Sequence, residues 1–153
     1  MRLLFFIITI TLMLLAGCQE YVEDRSYLLL MRTDTGINFD NQLVYTDSIN
    51  PYTYRNFYNG SGVAIGDLNN DGLNDVFFSG NQVDNQLYQN LGDFKFKNVT
   101  ERSNTASAGS WCTGVSMVDI NADGLLDIYV CKAGPPADKN RRNQLFINQG
   151  DFI

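Results

Sequence analysis

Short apolar runs separated by bends rich in Asn, Asp and Gly set the rhythm of this chain. Gly62-Val-Ala-Ile-Gly66 and Val76-Phe-Phe-Ser79 flank one bend, and Gly114-Val-Ser-Met-Val118 and Ile128-Tyr-Val130 flank another. Runs this short, β-branched or aromatic and closed by turn formers, predict strands rather than helices. Gln86-Leu-Tyr-Gln89 predicts a third strand. After a turn at Asn90-Leu-Gly-Asp93, Phe94-Lys-Phe-Lys97 predicts a fourth, with Phe94 and Phe96 packed inward and Lys95 and Lys97 in solvent. The order then recurs. Asn143-Gln-Leu-Phe-Ile-Asn148 repeats Asn85-Gln-Leu-Tyr-Gln-Asn90, and Gly150-Asp-Phe-Ile153 repeats Gly92-Asp-Phe-Lys95.

The bends carry the candidate chemistry. Asp67-Leu-Asn-Asn-Asp-Gly-Leu-Asn-Asp75 and Asp119-Ile-Asn-Ala-Asp-Gly-Leu-Leu-Asp127 both read D-x-N-x-D-G-x-x-D. Alternate residues of a tightly curled loop turn their oxygens inward, and glycine permits the sharp turn at Gly72 and Gly124. The predicted ligands are Asp67, Asn69, Asp71, the carbonyl of Leu73 and Asp75 in one bend. Their counterparts are Asp119, Asn121, Asp123, the carbonyl of Leu125 and Asp127. An all-oxygen cage with three carboxylates suits calcium better than zinc or copper. An EF-hand begins in the same way but needs a Glu at position twelve and flanking helices. Here that position is Phe78 or Val130, and the flanks read as strands.

Gly62-Val-Ala-Ile-Gly-Asp-Leu-Asn-Asn-Asp-Gly-Leu-Asn-Asp-Val76 and Gly114-Val-Ser-Met-Val-Asp-Ile-Asn-Ala-Asp-Gly-Leu-Leu-Asp-Ile128 resemble the FG-GAP/VCBS repeats of integrin-α-like β-propellers. Thr35-Gly-Ile-Asn-Phe39 and Asn56-Phe-Tyr-Asn-Gly60 add a likeness to large bacterial VCBS-repeat lipoproteins, many of which end in an ASPIC/UnbV domain. The resemblance implies an all-β partial propeller of about two four-stranded blades, with calcium loops between strands one and two. It also implies that the metal braces the propeller while ligands bind elsewhere. Residues 33–60 then lead into the first blade, 61–110 form repeat one and 111–153 a truncated repeat two. Since propellers need about four to eight blades, the expectation is an N-terminal piece of a longer protein.

The chain start changes the picture again. Met1-Arg2 precedes an apolar run, Leu3 to Ala16, shorter than the roughly 20 residues of a spanning helix. Leu15-Ala-Gly-Cys18 resembles a lipobox, so residues 1–17 are expected to be a lipoprotein signal peptide and Cys18 the lipidated residue. Residues 18–32 become a tether, and Tyr27-Leu-Leu-Leu-Met31 either begins a strand or docks on the first blade. By resemblance to other lipoproteins, Gln19 directs the protein to the outer membrane, on its cell-surface or periplasmic face.

Composition and charge narrow the partners. With 17 acidic against 11 basic residues and a net charge of −6, the chain lacks the basic face of a nucleic-acid binder. The absence of histidine removes His-based triads and His ligands from this chain. Cys112 and Cys131 sit near the ends of one predicted hairpin, with Cys131 facing about Val115; they form a disulfide or remain reduced. Tyr45, Tyr52, Tyr54, Phe57 and Tyr58 either form a ligand patch or cover the blade. Lys139, Arg141 and Arg142, in a link longer than its counterpart, make either a contact for an anionic partner or a solvated loop.

The functional expectation is a calcium-stabilised binding or adhesion module with two structural calcium sites. It is held to the membrane by its lipid anchor and directed at an unknown protein or glycan ligand. The alternatives are a spacer for a further C-terminal domain or part of a propeller glycosidase or lyase. In the last, Asp67 with Asp75, or Asp119 with Asp127, would act as paired carboxylates. The same spacing in two repeats favours metal binding over catalysis, so the chain is read as non-enzymatic.

Overall fold

The computed structural model describes residues 27–107, 109–134 and 140–150. The leader, Cys18, most of the tether, Lys139 and the last strand expected after Gly150 lie outside them. Among the described residues the strands are β1 (Val63–Gly66), β2 (Asp75–Phe78), β3 (Gln86–Asn90), β4 (Phe96–Asn98), β5 (Cys112–Val118), β6 (Asp127–Lys132) and β7 (Gln144–Phe146). Two single-turn helices, α1 (Arg32–Thr35) and α2 (Thr100–Ser103), complete the set. No helix among the described residues is long and apolar enough to cross a membrane.

β1 to β4 form one antiparallel sheet in chain order, and β5 to β7 form a second. The two share one register. Val63 faces Phe78 as Val115 faces Val130, and Phe77 faces Leu87 as Tyr129 faces Leu145. The molecule is therefore nearly all β, two successive sheets of the same design, consistent with part of a propeller.

Alternation across a strand explains how the sheets meet. Phe77 and Leu87 leave the back of the first sheet, and Leu68 and Val99 join them from its loops. They pack on Ile128, Val130, Val115, Met117 and Phe146 from the front of the second sheet. Phe77 and Val130 retain no exposed surface. Burial of each large apolar side chain contributes about 1.5–3 kcal/mol. The innermost strands approach backbone to backbone. A Cβ on Gly62 would lie 2.8 Å from the Val115 nitrogen, so only glycine fits there.

The segment before β1 folds over the other face of the first sheet. Phe39 stacks on Phe78 with centroids 5.0 Å apart, and the Tyr88 hydroxyl donates to Asn38 Oδ1 at 2.6 Å. Asn41 both donates to the Asn81 side chain and accepts from the Asn81 amide, at 2.9 and 2.7 Å. Further along, Tyr54, Phe57 and Trp111 make a second buried cluster with Leu43 and Ile49. Of the aromatic residues read as blade cover, Tyr54 and Phe57 serve that role, whereas Tyr52 is fully exposed.

Several expectations need correction. The fourth strand begins at Phe96, not Phe94. Asp93 and Phe94 adopt φ of 50° and 56°, and the Lys95 amide closes a turn on the Gly92 carbonyl at 2.9 Å. That left-handed turn consumes Phe94 and leaves it in solvent. Tyr27 to Met31 form no strand; Tyr27, Leu28, Leu29 and Met31 are exposed and Leu30 is half-buried. The chain instead turns into α1, where Asp34 accepts the Met31 amide and Gly36 ends the helix at φ 80°.

Cys131 faces Gly114 rather than Val115, and Cys112 pairs with Lys132, because a bulge separates Cys112 from Gly114. Both thiols are free. Cys112 is fully buried and donates to Asn85 Oδ1 at 3.4 Å. Burial pushes its pKa up, with Lys132 and the Gly80 hydrogen bond pulling the other way. A raised pKa means less thiolate at a given pH. Iodoacetamide at pH 8 is therefore expected to label Cys131 well before Cys112, with Cys112 reacting only as the protein unfolds. Peptide mapping over a urea series reads this out, and equal labelling in the native state would contradict it.

Candidate metal centre

The two bends connect β1 to β2 and β5 to β6, and they have the same shape. Asn70 and Gly72 take φ of 58° and 86°, matched by 61° and 87° at Ala122 and Gly124. Short polar side chains make this shape by binding the backbone just ahead of them. Asp67 Oδ1 accepts the Asp71 amide at 3.1 Å and Oδ2 the Gly72 amide at 2.8 Å. Asn69 Oδ1 also takes the Asp71 amide, at 3.2 Å, and Asp71 Oδ1 takes that of Leu73, at 2.8 Å. In the second bend Asp119 accepts from Asp123 and Gly124 at 3.1 and 2.9 Å. Asn121 accepts from Asp123 at 3.1 Å, and Asp123 accepts from Leu125 at 2.9 Å. Each Asn also donates to the following Asp at 2.8 Å.

Asp75 and Asp127 differ from the rest because both are fully buried. Asp75 Oδ2 accepts the Leu68 amide at 3.0 Å and Oδ1 the Asn90 amide at 2.8 Å. Asp127 repeats this with Ile120 and Asn148, again at 3.0 and 2.8 Å. Each therefore clamps the start of its bend to the end of the third strand. Burial raises the pKa of the Asp75 carboxyl. The two amides oppose that shift, and the charges of Asp71 and Asp67 add to it. The three carboxylates of the first bend thus share one electrostatic field.

Reading the bends from their ends missed Asn90 and Asn148. Asn90 donates to the Asn74 carbonyl at 2.9 Å and accepts the Gly92 amide. Asn148 donates to the Leu126 carbonyl at 3.1 Å and, across the gap between sheets, to the Leu68 carbonyl at 2.7 Å. Asn70 makes the reciprocal link to the Gly124 carbonyl at 3.2 Å. Both missed residues close the repeated Asn-Gln-Leu segments, which was the available signal.

The donors are carboxylate and carboxamide oxygens, and each retains a further lone pair. That chemistry fits a hard cation such as calcium. In this arrangement the acidic oxygens are turned onto loop amides, and among the described residues no three acidic side chains converge closely enough to enclose an ion. Arg141 and Arg142 lie exposed.

Comparison with known proteins agrees with this repeat design. Cartilage acidic protein 1 of Xenopus tropicalis is 26% identical over 103 residues, 67% of this chain. The aligned region spans only 16% of that relative's length. Residues 67–130, which hold both bends and the strands between them, match the FG-GAP-like repeat family. The duplicated bend and the shared register agree with this match: residues 67–130 are similar to an FG-GAP-like repeat.

Proposed function

We propose that the chain is a calcium-stabilised binding module of a membrane-anchored lipoprotein and that both bends are structural metal sites. The observation that supports this reading is the duplicated oxygen set of Asp67, Asn69 and Asp71 and of Asp119, Asn121 and Asp123, drawn in both bends onto the same loop amides. With the carbonyls of Leu73 and Leu125, and the remaining lone pairs of Asp75 and Asp127, these residues would hold one calcium ion per bend. The ion supplies positive charge that offsets carboxylate repulsion, worth about 1–4 kcal/mol per pair at about 4 Å. The protein then gains a cross-link between the first two strands of each sheet.

The same geometry supports reading the chain as non-catalytic. Asp75 and Asp127 are sealed from solvent, and every one of their carboxylate oxygens already accepts a backbone amide. Such groups are poorly placed to exchange protons with a substrate. Anchoring through Cys18 in the outer membrane would present the module to a protein or glycan at the surface.

Calcium titration of EDTA-treated protein, followed by thermal unfolding, tests the proposal. For a Kd near about 10⁻⁵ M, about 1 mM calcium adds roughly 2.7 kcal/mol. Asp71→Asn together with Asp123→Asn should abolish most of that gain. An unchanged melt on adding calcium would remove the metal role.

A further inference from the structure

We infer that Asn59–Gly60 is a site of spontaneous deamidation in the folded protein, and that the isoaspartate it forms strains the link between the aromatic cover and β1. Glycine follows Asn or Asp at three places in the chain: Asn59–Gly60, Asp71–Gly72 and Asp123–Gly124. One reaction is open to all three, attack by the glycine nitrogen on the carbonyl carbon of the preceding side chain. Glycine favours it because no Cβ crowds the approach. The fold treats the three pairs differently.

In the bends both reacting groups are tied down. The Gly72 amide donates to Asp67 Oδ2 at 2.8 Å, and the Gly124 amide to Asp119 Oδ2 at 2.9 Å. The Asp71 carboxylate accepts from Leu73 and Asn69, and that of Asp123 from Leu125 and Asn121. Asn59–Gly60 has no such restraint. Asn59 is exposed, and neither its side-chain amide nor the Gly60 nitrogen makes a hydrogen bond among the described residues. Gly60 sits at φ 76°, and a Cβ there would meet nothing within 4 Å, so the space beside its nitrogen is open.

The chemistry needs only water. The Gly60 nitrogen gives up its proton and bonds to Asn59 Cγ. The Cγ–Nδ2 bond breaks, and Nδ2 takes up a proton and leaves as ammonia. Water then opens the cyclic imide at either carbonyl. Opening at Cγ leaves aspartate. Opening at the Asn59 main-chain carbonyl leaves isoaspartate, whose main chain runs through Cβ and Cγ and is one carbon longer.

The stretch that receives this carbon is pinned at both ends. Phe57 has no exposed surface and meets Trp111 with centroids 5.5 Å apart. On the other side Ser61 Oγ donates to the Cys112 carbonyl at 3.1 Å, and the Gly62 amide to Ser79 Oγ at 2.8 Å. A longer main chain between them must displace either the cover or the first strand.

Peptide mapping of the full chain, aged folded and aged in urea, tests the inference. Folding should slow deamidation at Asn59 by no more than about threefold, but isoaspartate formation at Asp71 and Asp123 by at least about tenfold. The Asn59 rate should rise from neutral to mildly alkaline buffer, as the Gly60 nitrogen loses its proton more readily. Fresh Asn59→Asp has the charge of the aged protein without the added carbon, so the aged parent should unfold at lower urea than this variant. Asn59→Ser, which has no amide to lose, should keep its midpoint on ageing. Strong protection of Asn59 by folding, or equal reaction at the two bends, would overturn the inference. So would an aged parent as stable as Asn59→Asp, or an Asn59→Ser protein that weakens equally with age.

Discussion

Alanine at Asp75 is expected to destabilise the protein by about 2–4 kcal/mol in calcium-free buffer, as measured by urea unfolding with EDTA present. The carboxylate has no exposed surface, and its two oxygens are the acceptors for the Leu68 and Asn90 amides. Truncation leaves those donors unpaired, at about 1–3 kcal/mol each. The desolvation that raises the Asp75 pKa is relieved in return, which keeps the net loss below the sum of the parts. Asp71→Ala provides the contrast. Its carboxylate is exposed and serves Leu73 and Asn69 within the bend, so its loss without calcium should cost less than about 1 kcal/mol. Equal losses for the two variants under chelation would show that Asp75 is not the clamp described.

Trp111→Ala is the second large effect, an expected loss of about 3–5 kcal/mol. The indole is 2% exposed. It meets Tyr54 edge-on at 5.0 Å and Phe57 at 5.5 Å. These rings belong to the segment before β1, whereas Trp111 opens the second repeat, so the cluster joins parts of the chain that share no strand pairing with each other. Trp111→Phe separates ring packing from polarity. The buried indole Nε1 has no hydrogen-bond partner among the described residues, and its removal recovers part of what the smaller ring loses. Phenylalanine should therefore cost well under half of the alanine loss. Losses of the same size for both substitutions would mean that indole shape, not aromatic contact, holds the cluster.

What could be read in advance divides along physical lines. The strands around each bend were legible because their apolar runs are short and closed by Asn, Asp and Gly, and each backbone demand has a matching residue. Phe94 was misplaced because alternation alone cannot show that Asp93 and Phe94 both enter left-handed conformations. Once they do, the periodicity restarts at Phe96. The bulge beside Gly114 shifted the Cys112 and Cys131 neighbours for a similar reason: an added residue leaves composition untouched but moves every partner. In the bends, residue types at Asp67, Asn69 and Asp71 announced a tight loop held by side-chain oxygens. They did not announce that Asp75 is sealed and saturated by amides, since that depends on Asn90 arriving from a strand paired only after folding. The cover formed by Asn38, Phe39 and Asn41 was equally hidden, because its partners lie far along the chain.

Two side-chain amides cross the gap between the bends in opposite directions, Asn70 to the Gly124 carbonyl and Asn148 to the Leu68 carbonyl. Together they make a closed mechanical loop that bypasses the apolar interior. Lifting either turn from its seat drags the other with it, so a nick or a substitution at one is felt at both.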